Sequence, residues 1–269
     1  MDMATASGEF KNAALQTRPL KIEDEKTLQR FQDIAQYFLK NTGEGKILYK
    51  SGLKNNYQWR SICYASQNFR AYYALELFGL RSELSCQAFK TAIEKGIFNK
   101  ELFRDITKVT SLGCGPGAEM WGFKIFCDEI LPYSSNCSNG RKTSPRFMGY
   151  DSELGWMPFV ESLDFEFINK ELDATALRNM MPTDVIILSY FAKVAKINIE
   201  SPQVNSFWEE LERKGNIIVV IEMVDENLHR ILQQRGYSSF PIFDKIGNQA
   251  QVHCLHQTDY AVLRRSSRV

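Results

Sequence analysis

The chain has no excess of either charge, no long apolar run and no paired cysteines. Of its 269 residues, 33 are Lys or Arg and 32 are Asp or Glu, for a net charge of +1. That balance does not announce a surface built for nucleic acid or for a membrane, although it is compatible with a local basic patch. No segment approaches the ~20 consecutive apolar residues of a transmembrane helix. The polar stretch Met1–Arg18 contains no apolar run of signal-peptide length and is expected to be a disordered lead-in. The six cysteines (63, 86, 114, 127, 137 and 254) form no CxxC pair. A reduced cytoplasmic protein is therefore expected, with the nucleus as the other compartment. No metal site is expected either. In His253-Cys254-Leu255-His256 the first two residues would point to opposite faces of an extended strand, and no partner pair stands elsewhere.

What the chain does have is 44% apolar residues, enough for one good core or one domain with an appendage. From Lys21 the spacing is helical, with Leu28, Phe31, Ala35, Phe38 and Leu39 on one face. The two glycines of Asn41-Thr42-Gly43-Glu44-Gly45 are read as its stop. A second helical pattern runs from Trp59 to Leu77 and ends near Gly79; a third runs from Leu84 to Ile93 and ends at Gly96. Residues 19–104 thus read as an all-helical layer. The style then changes. Apolar strand-like runs at 109–112, 147–150, 165–172, 184–189 and 216–222 alternate with helical patterns at 120–131, after Gly155, at 206–213 and at 227–235. The continuous apolar runs at 184–189 and 216–222 require strands covered on both faces. Residues 132–146 form a long polar loop. The last two strands, Ser238–Lys245 and Val252–Arg265, are too close for an intervening helix and must pair antiparallel. The fold expected is α/β, with a doubly wound, mostly parallel sheet.

Between the first strand and its helix lies Gly113-Cys114-Gly115-Pro116-Gly117-Ala118. Alternate glycines allow a tight turn and close approach of backbone to a ligand, and the helix start beyond them offers unpaired N–H groups. A nucleotide-type ligand follows. Both dinucleotide-binding and S-adenosylmethionine-binding folds use such a loop, and Gly113, Gly115 and Ala118 also satisfy GxGxxA.

The order of elements over about residues 105–265 resembles the class I S-adenosylmethionine-dependent methyltransferase family, whose fold is a seven-stranded Rossmann-like sheet. Residues 105–269 would then be the domain that binds S-adenosyl-L-methionine. The resemblance implies that Gly113, Cys114, Gly115 and Gly117 bend around the methionine part of that cofactor. The acidic residue that many members carry near Ser111 is missing. Asp151, followed by Ser152, stands where the family holds the two ribose hydroxyls, a task suited to a group that only accepts hydrogen bonds. Asp173 and the backbone of Ala174 stand where members meet the adenine amino group and a ring nitrogen. Ser189 and Tyr190 stand where cofactor and substrate meet, with Phe191 bordering the substrate pocket. Tyr64 and Asn68 fall in a helical layer that members lay over the cofactor. Each assignment has a plainer counterpart. Asp151 and Asp173 read equally well as helix caps, the aromatic residues as core, and Cys114 as a small packing residue.

No residue reads as catalytic. There is no Asn/Asp-Pro-Pro-Tyr/Phe after the fourth strand, as amino-group nucleic-acid methyltransferases have, and no Pro-Cys of the cytosine C5 enzymes. Gly115-Pro116-Gly117-Ala118-Glu119 faintly resembles a loop of some ribosomal-RNA methyltransferases. The even charge argues against tight RNA binding, and the basic tail from Leu263 to Arg268 reads mainly as solvated. Glu222 and Asp225, at the end of the fifth strand, border the expected acceptor pocket. Small-molecule, protein and RNA acceptors stay open. So do a non-catalytic cofactor-sensing or interaction module and, less favoured by Pro116 and the closing hairpin, an NAD(P)-dependent oxidoreductase.

Overall fold

The computed structural model describes residues 22–54, 61–130, 145–192, 194–244 and 247–257. The expectations for residues 1–18, for most of the loop at 132–146 and for the basic tail lie outside those residues.

Seven strands form one sheet in the order β3-β2-β1-β4-β5-β7-β6. They are β1 (Lys108–Leu112), β2 (Arg146–Asp151), β3 (Glu166–Asn169), β4 (Thr183–Ser189), β5 (Gly215–Met223), β6 (Ser238–Phe243) and β7 (Gln249–His256). Pairing is parallel from β3 through to β5, and β7 runs antiparallel to both β5 and β6. The mostly parallel, doubly wound sheet with an antiparallel last strand is the architecture expected.

Alternation along the central strands builds two cores. Val109, Val185, Ile187, Ile217 and Val219 face one layer, while Leu112, Ile186, Leu188, Ile218 and Val220 face the other. With both faces covered, β4 is buried from end to end. The first layer holds α1 (Ile22–Phe38), α4 (Gln67–Glu94), α5 (Ala118–Ile130) and α6 (Met157–Ser162), joined by Phe31, Phe78, Phe89, Phe123 and Phe159. The second holds α7 (Ala174–Arg178), α8 (Pro202–Lys214) and α9 (Glu226–Gln234), packed through Leu177, Trp208 and Leu232. Two further helices, α2 (Thr42–Lys54) and α3 (Ser61–Ala65), stand beside α4. Helices α1 and α4 therefore share one continuous core with the sheet, while α2 and α3 bury Tyr49 and Cys63 in a separate cluster with Phe69 and Leu77 of α4.

Two helix boundaries differ from the pattern reading. The glycines at 43 and 45 do not break the chain but begin α2. A Cβ on Gly45 would lie 2.5 Å from the Asn68 carbonyl oxygen, so this glycine serves the close approach of α2 to α4. Of the second pattern, Ser61–Ala65 form α3, and the rest continues into the third as one 28-residue helix, α4, which passes through a buried Gly79. A mid-helix glycine costs roughly 1 kcal/mol, which burial along both sides of α4 outweighs. The end at Gly96 is as expected, in the left-handed region at φ 70°.

Candidate functional site

A cavity of about 740 Å³ opens at the carboxyl ends of β1, β2, β4 and β5, walled on its other side by α3 and α4. That is where an open α/β sheet leaves its ligand crevice.

The loop after β1 forms one lip. Gly113, Gly115 and Gly117 all take positive φ (66°, 49° and 88°). The loop curls back on β2, with the Gly113 and Cys114 amides donating to the Tyr150 carbonyl at 2.8 and 3.0 Å. A Cβ on Gly113 would strike the Phe191 ring at 2.3 Å, whereas one on Gly115 would meet nothing within 4 Å. Gly115 thus presents bare backbone to open space. Gly117 faces away, against Leu163 and Val160. The Cys114 side chain is buried under Gly149, where burial pushes its thiol well above the ordinary range. It packs, as its plainer reading held, while its backbone lines the cavity.

Asp151 ends β2 in the cavity wall. One carboxylate oxygen accepts the Gly115 amide at 3.0 Å and the other accepts the Glu153 amide at 2.9 Å. Burial raises its pKa, and these two amides work against the rise. A carboxylate has about four lone-pair sites, so both oxygens keep acceptor capacity toward the cavity. Ser152 and Glu153 line the same wall.

The far wall comes from β4 and β5. Tyr190 stands at φ 53°, a left-handed conformation that a non-glycine residue holds only where its surroundings impose it. Its amide donates to the Ile221 carbonyl at 2.8 Å. The buried Glu222 carboxylate accepts the Ala192 amide at 3.0 Å and the Met223 amide at 3.1 Å, fixing the turn that Tyr190 begins. Ser189, Tyr190 and Phe191 all line the cavity.

The helical layer closes the top. Tyr64 and Tyr73 line the cavity together with Trp156, their rings 6.5 and 5.7 Å from its indole. Burial pushes both phenols upward, so both stay protonated and neutral. Arg70 donates to the Tyr64 carbonyl and pairs with Glu153 at 3.2 Å, tying this roof to the turn beyond Asp151.

Besides Gly117, three expected contacts lie outside the cavity lining. Asp173 accepts the Ala176 amide at 2.6 Å as the N-cap of α7, and neither it nor Ala174 lines the cavity. Asn68 donates to Glu44 at 2.8 Å and accepts the Asn41 amide at 2.8 Å, an arrangement that docks α2. The competing cap reading accounts for Asp173, and helix docking accounts for Asn68. Of the two acidic residues expected at the end of β5, Glu222 lines the cavity, while Asp225 caps α9 by accepting the Leu228 amide at 2.9 Å.

Sequence reasoning passed over Arg81. Its side chain is buried yet reaches the cavity, with its guanidinium carbon 3.1 Å from the centre of the Tyr190 ring. Burial works against this cation. The Glu119 and Glu222 carboxylates favour it, and its pKa stands above the ordinary value. The signal was present, since Tyr73, Leu77 and Arg81 follow one another at four-residue steps and all line the cavity. Among the described residues no cluster of three metal-ligating side chains occurs, and no helix is long and apolar enough to cross a membrane.

No protein-family profile and no curated protein sequence matches the chain. Solved structures do. Magnesium protoporphyrin IX methyltransferase from Synechocystis with bound S-adenosylmethionine aligns over 87% of this chain and 98% of its own, at 11% identity and a TM-score of 0.41. An rRNA methylase from Escherichia coli aligns over 93% and 99%, at 9% identity and a TM-score of 0.42. TrmN from Thermus thermophilus aligns over 65% and 48%, at 12% identity and a TM-score of 0.44.

Proposed function

We propose that the protein is an S-adenosylmethionine-dependent methyltransferase. The observation that carries this reading is the joining of the glycine loop to Asp151. Open backbone at Gly115 and an acceptor-only carboxylate, linked by a 3.0 Å hydrogen bond, face one cavity at the topological switch between β1 and β4. In this assignment Asp151 receives the ribose hydroxyls, and the loop from Gly113 to Pro116 lies along the methionine portion. Ser152 and Glu153 continue the ribose wall, while Ser189 and Tyr190 border the reacting end.

When bound, the cofactor supplies an electrophilic methyl group on a sulfonium. The chain's own contribution is alignment and exclusion of water. Tyr64, Tyr73 and Trp156 cover the cavity with protonated phenols and an indole, which offer apolar surface and no anionic nucleophile of their own. Glu119, Asp151 and Glu222 supply carboxylates around the single buried guanidinium of Arg81, a balance suited to a cationic guest. The apolar side chains of Val194 and Ile199, both more than half exposed, line the same cavity, and the acceptor would pass them.

Thermal shift tests the cofactor assignment. S-adenosylmethionine and S-adenosylhomocysteine should each raise the melting temperature while NAD(H) does not. Absence of a shift with both sulfur compounds, on folded protein, overturns the proposal. Asp151→Ala should weaken cofactor binding by about tenfold or more, the order of a lost charge-assisted hydrogen bond. Transfer of labelled methyl groups into RNA, protein and metabolite fractions of a cell extract then separates an enzyme from a sensor and identifies the acceptor class.

A further inference from the structure

The even net charge of the chain conceals how unevenly its charges are used. Every described arginine is paired with a carboxylate or, at Arg81, stacked on the Tyr190 ring. The lysines of residues 40–54 are used differently. That segment holds Lys40, Lys46, Lys50 and Lys54 against one acidic residue, Glu44. Among the described residues none of these four lysines has an ion-pair partner. Glu44 is already engaged, its two carboxylate oxygens accepting the Ser66 hydroxyl at 3.1 Å and the Asn68 amide at 2.8 Å.

Helix geometry sorts α2 into two sides. Gly45, Tyr49 and Gly52, at four- and three-residue steps, are buried. Gly45 lets the backbones of α2 and α4 approach closely, and the Tyr49 ring lies 5.4 Å from Tyr72 and 6.4 Å from Tyr73. Tyr73 lines the cleft, so α2 is fixed on the helix that forms its roof. Lys46, Lys50 and Lys54 follow one another at four-residue steps on the other side, spanning about 12 Å along the axis. Lys50 and Lys54 are exposed, as is Lys40 between α1 and α2. Tyr37, in the last turn of α1, is 73% exposed. A row of unpaired ammonium groups on a rigid helix, led into by an open aromatic ring, matches a polyanion that also carries flat, unpaired bases.

We propose that this side of α2, together with Tyr37, docks single-stranded RNA. The lysines meet backbone phosphates, and Tyr37 offers its ring to an unstacked base, as stands free in RNA loops and ends. Lysine suits a backbone that is tracked and not read, because its ammonium is a mobile point charge. An anionic membrane fits less well, since the buried side of α2 is spent on α4 and an interfacial helix needs its apolar side free. The proposal goes beyond the cofactor reading and stands independently of it. Net charge bears on long-range attraction; the contact itself depends on the local row.

Fluorescence anisotropy with a labelled single-stranded RNA tests this on the full chain. The affinity of the wild type should fall about twenty- to fiftyfold between 50 and 200 mM salt, the response of three or four phosphate contacts. Replacing all three α2 lysines, as Lys46→Glu, Lys50→Glu and Lys54→Glu, should make the slope of log affinity against log salt shallower by about 2. The same charge change placed elsewhere, at the exposed Lys26, Lys95 and Lys100, should leave affinity within about twofold of the wild type. Tyr37→Ala should weaken binding about fivefold or more and leave the salt slope unchanged. No binding at 50 mM salt overturns the proposal, and so does an equal loss in the two triple variants. Tighter binding to phosphatidylserine vesicles than to RNA overturns it in favour of a membrane. Equal affinity for a duplex, with Tyr37→Ala silent, overturns the assignment to single strands. Should the triple variant not fold, Lys50→Glu alone at its exposed position should reduce the slope by about 0.7, and an unchanged slope overturns the proposal. A missing thermal shift with S-adenosylhomocysteine would bear on the cofactor reading alone.

Discussion

Two buried polar groups of residues sit at opposite parts of the sheet, and they behave differently. At the cleft, Arg81, Glu119, Asp151 and Glu222 converge from α4, α5, β2 and β5 on one cavity. At the far edge, His253 of β7 accepts or donates at 2.7 Å to the Ser239 hydroxyl of β6, and the His229 ring of α9 lies 5.6 Å from it. Neither histidine of the edge group lines the cleft. Burial and the neighbouring His229 lower the His253 pKa to about 4, so it is neutral at ordinary pH. In the cleft group, in contrast, burial raises the pKa of Glu119 and Asp151, while that of Arg81 stands above its ordinary value. Perturbed titratable groups gathered in a cleft mark a candidate site, whereas a neutral buried imidazole serves packing.

The sharpest way to break this contrast is to move the wall that holds Arg81. Gly122→Ala forces α4 and α5 apart against backbone, so a stability loss of about 4 kcal/mol is expected by denaturant titration, at the upper end for a single change. A loss below about 1 kcal/mol would show that the crossing is adaptable. The edge group is tested by pH. Because the folded His253 pKa lies below its unfolded value of 6.5, its contribution is complete above pH 6.5 and fades as pH falls toward 4. The wild type should lose on the order of 3 kcal/mol across that window from this residue, and His253→Asn should flatten the slope. An unchanged slope would show that His253 protonates without penalty. The smallest effect is expected at Asp173. Asp173→Ala should cost about 1 kcal/mol for the lost α7 cap and leave S-adenosylhomocysteine affinity within about twofold. A tenfold loss of affinity would return Asp173 to the cleft.

Much of the fold was legible because burial on two faces leaves a plain mark in sequence. The apolar runs of β4 and β5, and the short link that makes β6 and β7 antiparallel, are local signals of that kind. Helix ends in the first hundred residues were less legible. Gly43, Gly45 and Gly79 read as breaks, yet Gly45 serves close helix contact and Gly79 is buried within α4. A glycine chosen for lack of bulk looks the same in sequence as one chosen for backbone freedom. Within the site, the glycine loop and Asp151 could be placed from strand order alone, because strand ends meet at one edge of a parallel sheet. Asp173 and Asn68 could not, since a carboxylate or amide beside a helix start serves a cap as readily as a ligand.

By itself the sequence determined the alternation of layers, the direction of the last strand and the glycine loop that lines the cavity, because each follows from periodicity or from residues adjacent in the chain. Only the tertiary structure decided which buried charges meet. Arg81 lies 38 residues before Glu119 in the numbering and reaches it through the close crossing at Gly122, and Tyr190 is turned beneath it by a backbone conformation held by β5. Contacts between distant segments depend on how closely helices can approach, and that distance is set by side chains on both partners at once.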